Sequence, residues 1–315
     1  MANLTDKIFN NEDAARAHFE SIRWSDGRIC PHCGVIGNST LLQGNTTRAG
    51  LYKCNEKACR KPFTATMGTI YERSHIPLHK WLLATQLMCA SKKGISASQL
   101  HRMLGFGSYR TAWFMAHRIR EAMISDNNTP MGQGGGDVFA DETYIGKNPD
   151  TPKSRMAIRS MNQILTLVDR TTGRSVSMVF DGTINAANIA PILEAHISKD
   201  ARLLTDEAFH YRTPAKAFAA HGMVAHARGE YVSKADRTIT TNQIEGFFGI
   251  FKRGMRGIYQ HCGKQHLHRY LAEFDFRYTN REATGCNDTD RTRKAIEGTI
   301  GRRLMYARPN FAGSV

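Results

Sequence analysis

VFADETYIG, residues 138–146, places three apolar residues directly before an aspartate, and ARLLTDEAFHY, residues 201–211, repeats the arrangement with Leu203 and Leu204 ahead of Asp206. Short apolar runs closed by a polar residue read as buried strands, so Asp141 and Asp206 each stand where a strand finishes. A single such aspartate is commonly a turn or cap residue; its recurrence points to chemistry. Between the two, QILTLVDRTTGRSVSMVF (163–180) reads as a pair of strands joined at Thr172-Gly173 with Asp169 in the turn, and AANIAPILEAHISKD (186–200) reads as a helix. Strands alternating with helices predict an α/β domain.

TNQIEGFFGIFKRG, residues 241–254, carries Ile244, Phe247, Phe248 and Phe251 at i, i+3, i+4 and i+7, the stripe of a core-facing helix. Asn242, Glu245 and Lys252, separated by three and seven residues, run along a neighbouring edge of that helix. Two strand-terminal aspartates followed by a helix with a carboxylate or amide meet the need of a two-metal phosphoryl-transfer site. Crowded carboxylates repel, divalent cations offset the repulsion, and two ions about 3.5–4 Å apart clamp the attacking and leaving oxygens. Glu142 and Glu207, next in the chain after the aspartates, point elsewhere on an extended backbone and have at best a supporting part.

Cys30-Pro-His-Cys33-Gly34 is followed by Cys54-Asn-Glu-Lys-Ala-Cys59, two close cysteine pairs separated by about a hairpin's length. Four thiolates suit a tetrahedral Zn²⁺ with no open position, hence a structural one, and Gly34 permits the tight turn behind the first pair. The second pair, with four intervening residues, needs a wider knuckle. Tyr52, Lys53, Lys57, Arg60, Lys61 and Phe63 surround the site with basic and aromatic side chains compatible with phosphate contacts.

Downstream, Pro77 suits the first turn of a helix with Leu78, Trp81, Leu82, Thr85, Met88 and Cys89 on one face. Ser96 to Gln99 has capping-box spacing ahead of Leu100, Met103 and Leu104, and Ser108 can cap a third helix with Ala112, Met115, Ala116, Ile119 and Met123 as its core face. Arg110, Trp113, His117 and Arg118 then fall on the opposite side, the layout of a helix-turn-helix whose last helix enters a DNA groove. A net charge of +15 spread along 315 residues points to a polyanionic partner. Nucleic acid is preferred to a membrane, because the sequence holds no run of eighteen apolar residues and MANLTDKIFNNEDAA lacks the apolar centre of a signal peptide. A cytoplasmic, nucleoid-associated protein is expected. Seven cysteines, four of them within residues 30–59, argue against a secreted disulfide framework.

Taken in order, CPHCG with its later paired knuckle, RIREAM, VFADETYIG, LLTDEAFHY, TTNQIEGFFGIFKRGMRGIY and LHRYLAEFDFRY resemble the bacterial insertion-sequence transposases of the zinc-ribbon, ISXO-like group of the DDE superfamily, over nearly the whole chain. The resemblance implies a multidomain protein: a lead segment (1–25), a zinc ribbon (26–68), a helical helix-turn-helix-like DNA-binding domain (69–126), a linker (127–136), an α/β ribonuclease-H-like catalytic domain (137–285) and a basic C-terminal tail (286–315). It also implies Mg²⁺ or Mn²⁺ ions, double-stranded DNA as transposon ends and target, strand cleavage and joining at those ends, and a homodimer or larger assembly to pair them. Asp141 and Asp206 match the two aspartates of that superfamily. For the third place, Glu245 with Lys252 seven later matches the wider superfamily, whereas an asparagine, here Asn242, often stands in this group. Carboxylate oxygen binds Mg²⁺ more strongly than amide oxygen, which favours Glu245, and both residues remain candidates. Lys252 is expected on a phosphate or nearby DNA strand, with Arg253 adding a backbone contact. His226 falls near the site in the family pattern, although a hydrogen-bonded structural histidine explains it better. A zinc-ribbon transcription regulator and a structure-selective nuclease that cuts without joining are the rival readings.

Overall fold

The computed structural model describes residues 3–126, 128–151, 160–224, 232 and 236–304. The chain divides into two compact units, one formed by Met1–Ser91, Ile95–Met123 and Asn287–Val315, the other by Lys92–Gly94 and Ile124–Cys286.

In the first unit, helix α1 (Glu12–Arg23) starts where the Asn11 side chain accepts the Ala14 amide at 2.9 Å. Three short antiparallel strands follow, β1 (Ser39–Leu41), β2 (Tyr52–Cys54) and β3 (Pro62–Phe63). Tyr52 and Phe63 are buried with Trp24 as the small core of this sheet. The two aromatic residues expected at a phosphate-binding rim are thus inside, and Lys53, Lys57, Arg60 and Lys61 alone keep the exposed side.

Helices α2 (Leu78–Ala90), α3 (Ala97–Met103) and α4 (Tyr109–Ala122) form where the apolar spacing predicts. Ser96 accepts the Gln99 amide and Ser108 the Arg110 amide, at 3.1 and 3.2 Å. Pro77 sits one residue outside α2, and the start of that helix is capped from far away: the Glu12 carboxylate accepts the Leu78 and His79 amides at 2.9 and 3.2 Å. Burial works to raise the Glu12 pKa, but these two amides hold it below the usual carboxylate value.

The segment 286–315, expected to be a tail, instead contributes helix α8 (Asp288–Glu297) to the first unit. Arg291 donates to the Cys89 carbonyl at 2.8 Å and the Thr292 hydroxyl to Gln86 Oε1 at 2.7 Å, so α8 closes against α2 through buried polar groups.

The second unit is built on a five-stranded sheet in the order β6-β5-β4-β7-β8. Its strands are β4 (Asp137–Ile145), β5 (Asn162–Asp169), β6 (Ser175–Phe180), β7 (Arg202–Asp206) and β8 (Ala220–Val224). The first three are antiparallel neighbours, whereas β7 and β8 run parallel to β4. Alternation along a strand sends successive side chains to opposite faces. Val138, Ala140 and Leu203 accordingly pack on one face with Ile189 and Leu193 of α5 (Ala186–His196). Phe139 and Leu204 pack on the other with Ile244, Phe247 and Phe251 of α6 (Asn242–Gly254) and Leu271 and Phe274 of α7 (Lys264–Thr279).

The glycine-rich stretch expected as a linker is part of this unit. Met131 is buried and bridges to Ile197, and the Gly132 amide donates to Asp169 Oδ2 at 2.9 Å. Gly132 takes φ +73°, and a Cβ there would lie 2.6 Å from the Ala201 Cβ, so its glycine serves a close approach. Asp169 does hold the β5–β6 turn, accepting the Thr171 and Thr172 amides at 2.9 Å.

Candidate active site

Strand β4 is the middle of the sheet, and its parallel register with β7 pairs Phe139 with Leu204. Carried two residues further, the register sets Asp141 abreast of Asp206. Both share the parity of Phe139 and Leu204, so both project on the face that α6 covers. Glu245, next to the fully buried Ile244, is half-buried on that helix and accepts the Thr241 hydroxyl at 2.8 Å. Asn242, the first residue of α6, is exposed.

Asp141 feels the other two carboxylates. Burial, and then the charges of Glu142, Asp206 and Glu245, push the Asp141 pKa up to about 7, although the Glu142 amide donates to its Oδ1 at 2.7 Å and works the other way. A carboxylate raised from its ordinary value by burial first and by like charges after it is in a setting that divalent cations relieve, and the donor set is the all-oxygen type such ions take. The three are less tightly gathered than the cysteines described below. Asp206 Oδ1 accepts the Ala208 amide at 3.0 Å, which turns the chain sharply after β7.

A group that sequence reasoning passed over stands beside them. His210 Nε2 pairs with Glu142 Oε1, and this hydrogen bond, against the opposing effect of burial, raises the His210 pKa. Glu142 is therefore not idle: its side chain is 8% exposed and salt-bridged. The available signal was the two successive Asp-Glu pairs, since a second buried acid beside Asp141 requires a basic partner. Further along α6, the Lys252 ammonium lies 5.8 Å from the Phe248 ring centroid, and exposed Arg253 donates from Nε to the Gly249 carbonyl at 2.8 Å. His226 lies outside the described residues.

In the first unit, Cys30, Cys33, Cys54 and Cys59 bring their sulfurs within 4.8 Å of one another, and among the described residues this is the group so gathered. Zinc about 2.3 Å from each of four tetrahedral sulfurs requires S···S edges of about 3.8 Å. Cys30 to Cys59 measures 3.8 Å and Cys33 to Cys54 measures 3.7 Å, so the four residues fit one structural zinc. Gly34 takes φ +76°, with its amide donating to the Cys30 carbonyl at 2.9 Å, the turn expected behind the first pair.

The expected DNA-facing side of α4 needs correction. Arg110 is exposed and Trp113 half-buried, but His117 and Arg118 are 1% and 8% exposed. Arg118 donates to the Glu72 carbonyl at 3.0 Å with its guanidinium 5.2 Å from the Trp81 ring centroid, and the Trp113 ring meets His117 edge-on at 4.2 Å. Packing of α4 against α2, α3 and α8 covers a second face that helical spacing alone assigns to solvent.

Comparison with known proteins agrees with this division of the chain. Residues 133–279 match the model of the ISXO2-like transposase domain, and residues 10–62 that of the transposase zinc-ribbon domain. A protein of the transposable element ISH50 of Halobacterium salinarum is 25% identical over 290 residues, covering 86% of this chain and 92% of the relative. A chain in a cryo-EM structure of the simian T-cell lymphotropic virus intasome in complex with the PP2A regulatory subunit B56 gamma is 14% identical, at a TM-score of 0.29 over 56% of this chain and 67% of that one. The chain thus carries, in order, a transposase zinc-ribbon domain and an ISXO2-like transposase domain, the two domains of the insertion-sequence transposases its sequence resembles.

Proposed function

We propose that this transposase binds the ends of its own element, hydrolyses a phosphodiester at each and joins the freed 3′-OH to target DNA. One observation carries the reading: Asp141, half-buried on the central strand, lies within electrostatic reach of Glu142 beside it, of Asp206 on the neighbouring strand and of Glu245 on α6. The sheet supports a ribonuclease-H-like domain, since three antiparallel strands flanked by two parallel to the first place the aspartates on adjacent central strands.

In this reading Asp141 on the central strand, Asp206 on its neighbour and Glu245 on α6 would together hold the divalent metal ions. Magnesium or manganese held there would screen the carboxylates and offset charge on the attacking and leaving oxygens. Glu245 is preferred to Asn242 for the third place because it carries charge toward Asp141 and is half-buried, whereas Asn242 is exposed. Asp141, Glu142 and Asp206 are fixed by strand register and by His210, so the phosphodiester meets a set geometry. Lys252 and Arg253 hold DNA phosphates. Arg110, Trp113 and the exposed lysines of the ribbon bind duplex DNA, and two or more copies pair the element's ends in the cytoplasm. Four protein sulfurs leave no open position on the zinc, so its part is to fold the ribbon.

The test supplies pre-cleaved ends with Mg²⁺ or Mn²⁺ and looks for joined products. Hydrolysis without joining would make the protein a nuclease, and joining that survives in Asp141→Ala would remove the site from the reaction.

A further inference from the structure

The residues that follow Asp206 are held in place one after another. The Ala208 amide is bonded to the Asp206 carboxylate, His210 is paired with Glu142, and the Tyr211 ring is fully buried. Phe209, between them, is 76% exposed, more than any other large apolar side chain among the described residues. Its exposure is thus imposed by fixed neighbours on both sides. The guanidinium carbon of Arg212, itself exposed, lies 5.3 Å from the Phe209 ring centroid.

An open aromatic face with a cation beside it is complementary to a nucleotide, whose base offers a π-face and whose phosphate offers the charge. Phe209 is three residues past Asp206, which limits its reach to about 10 Å, or roughly three nucleotides at 3.4 Å each. A single ring flanked by Ala208, His210 and Arg212 is too small an apolar area for a protein interface. Resting on the reading of this site as a DNA-cutting centre, we propose that Phe209 is a stacking platform for one nucleobase beside the scissile phosphodiester, drawn out of its pair, with Arg212 on the phosphate of that nucleotide.

The experiment uses the full chain and a duplex of the inverted repeat that flanks its coding region, with 2-aminopurine at successive positions around the cut. In an Asp141→Ala background, binding should raise fluorescence at one position; Phe209→Ala and Phe209→Leu should abolish the rise, and Phe209→Trp should keep it. With Asp141 intact, Phe209→Ala should slow cleavage of paired ends roughly 5–150-fold, the worth of one base stack, and an abasic or mismatched nucleotide at that position should restore most of the rate. Equal fluorescence with and without the ring, or equal slowing on paired and mismatched ends, overturns the proposal. Retention by Phe209→Leu together with a change in sedimentation would assign the ring to contact between copies instead. The fluorescence readout does not depend on cutting. A rise in DNA that is never cleaved keeps the platform and removes the transposition chemistry, whereas cleavage without a rise does the opposite. Failure to bind the end removes both.

Discussion

Asp141 and Asp206 stand two residues beyond the last paired positions of two parallel strands, Phe139 and Leu204, on the sheet face covered by α6. Loss of a residue that merely supports a metal ligand costs about 10–100-fold, so loss of a ligand must cost more. Asp141→Asn should reduce cleavage by at least about 100-fold in a gel assay of end cutting, with binding of the end retained. Because the change also removes charge from a crowded site, the metal-free variant should melt above the wild type in differential scanning calorimetry. Added Mg²⁺ should raise the wild-type Tm and narrow that gap. A variant that melts below the wild type without metal would mean that the carboxylates do not repel.

The third place on α6 can be assigned by comparing two variants. Glu245→Gln keeps the shape and the bond from Thr241 but removes the charge that reaches Asp141; it should fall by about 100-fold or more in the cleavage rate. Asn242→Ala, at an exposed position, should stay within about 10-fold of wild type. The reverse ranking gives the place to Asn242.

Asp137 begins the same central strand and accepts from Arg202 Nε and Nη2 at 2.7 and 2.8 Å and from Arg170 Nη1 at 3.0 Å. The Arg202 bonds, outweighing burial, hold its pKa below the usual carboxylate value. A depressed carboxyl stabilises the folded state above its unfolded pKa of about 3.9, and that contribution disappears as pH falls through the lower folded value. Asp137→Asn should therefore cost about 2 kcal/mol near pH 7, or about 4–8 °C in Tm, with the two proteins converging as pH falls through the lowered folded value. A difference that persists unchanged into acid would point to packing instead of charge.

The ribbon should carry one zinc per chain by mass spectrometry or metal analysis, and Cys54→Ser should lose it. Structural zinc contributes on the order of 10 kcal/mol to folding such a module. The variant should therefore show protease cleavage confined to the ribbon while residues 133–279 resist. Retention of stoichiometric zinc in Cys54→Ser would contradict a four-sulfur site.

The elements that place the candidate site are the ones whose sequence speaks most directly. An apolar run ended by an aspartate, twice, marks β4 and β7, and four aromatic and aliphatic residues at helical spacing mark α6. Only Asp206 ends its strand, however: β4 runs on through Ile145 paired to β5, so Asp141 sits mid-strand, because the polar-looking ETY that follows it still alternates between two covered faces. What escapes is structure held by groups that composition reads as solvent-seeking. Helix α8 buries Arg291 and Thr292 through a carbonyl and an amide that lie some two hundred residues away in the chain, so no apolar stripe announces it. Gly132 looks like flexibility and serves close packing. His117 and Arg118 look like a DNA-facing edge because one helix wheel cannot know how many neighbours it will have. The His210 to Glu142 pair joins positions 68 apart, visible only once the register of β4 and β7 is known.

The late position of α8 has a bearing on synthesis. A ribosome that has finished the second unit has not yet delivered the helix that completes the first. Interrupted translation would then release polypeptides that contain every candidate catalytic side chain while the ribbon-bearing half remains unfinished.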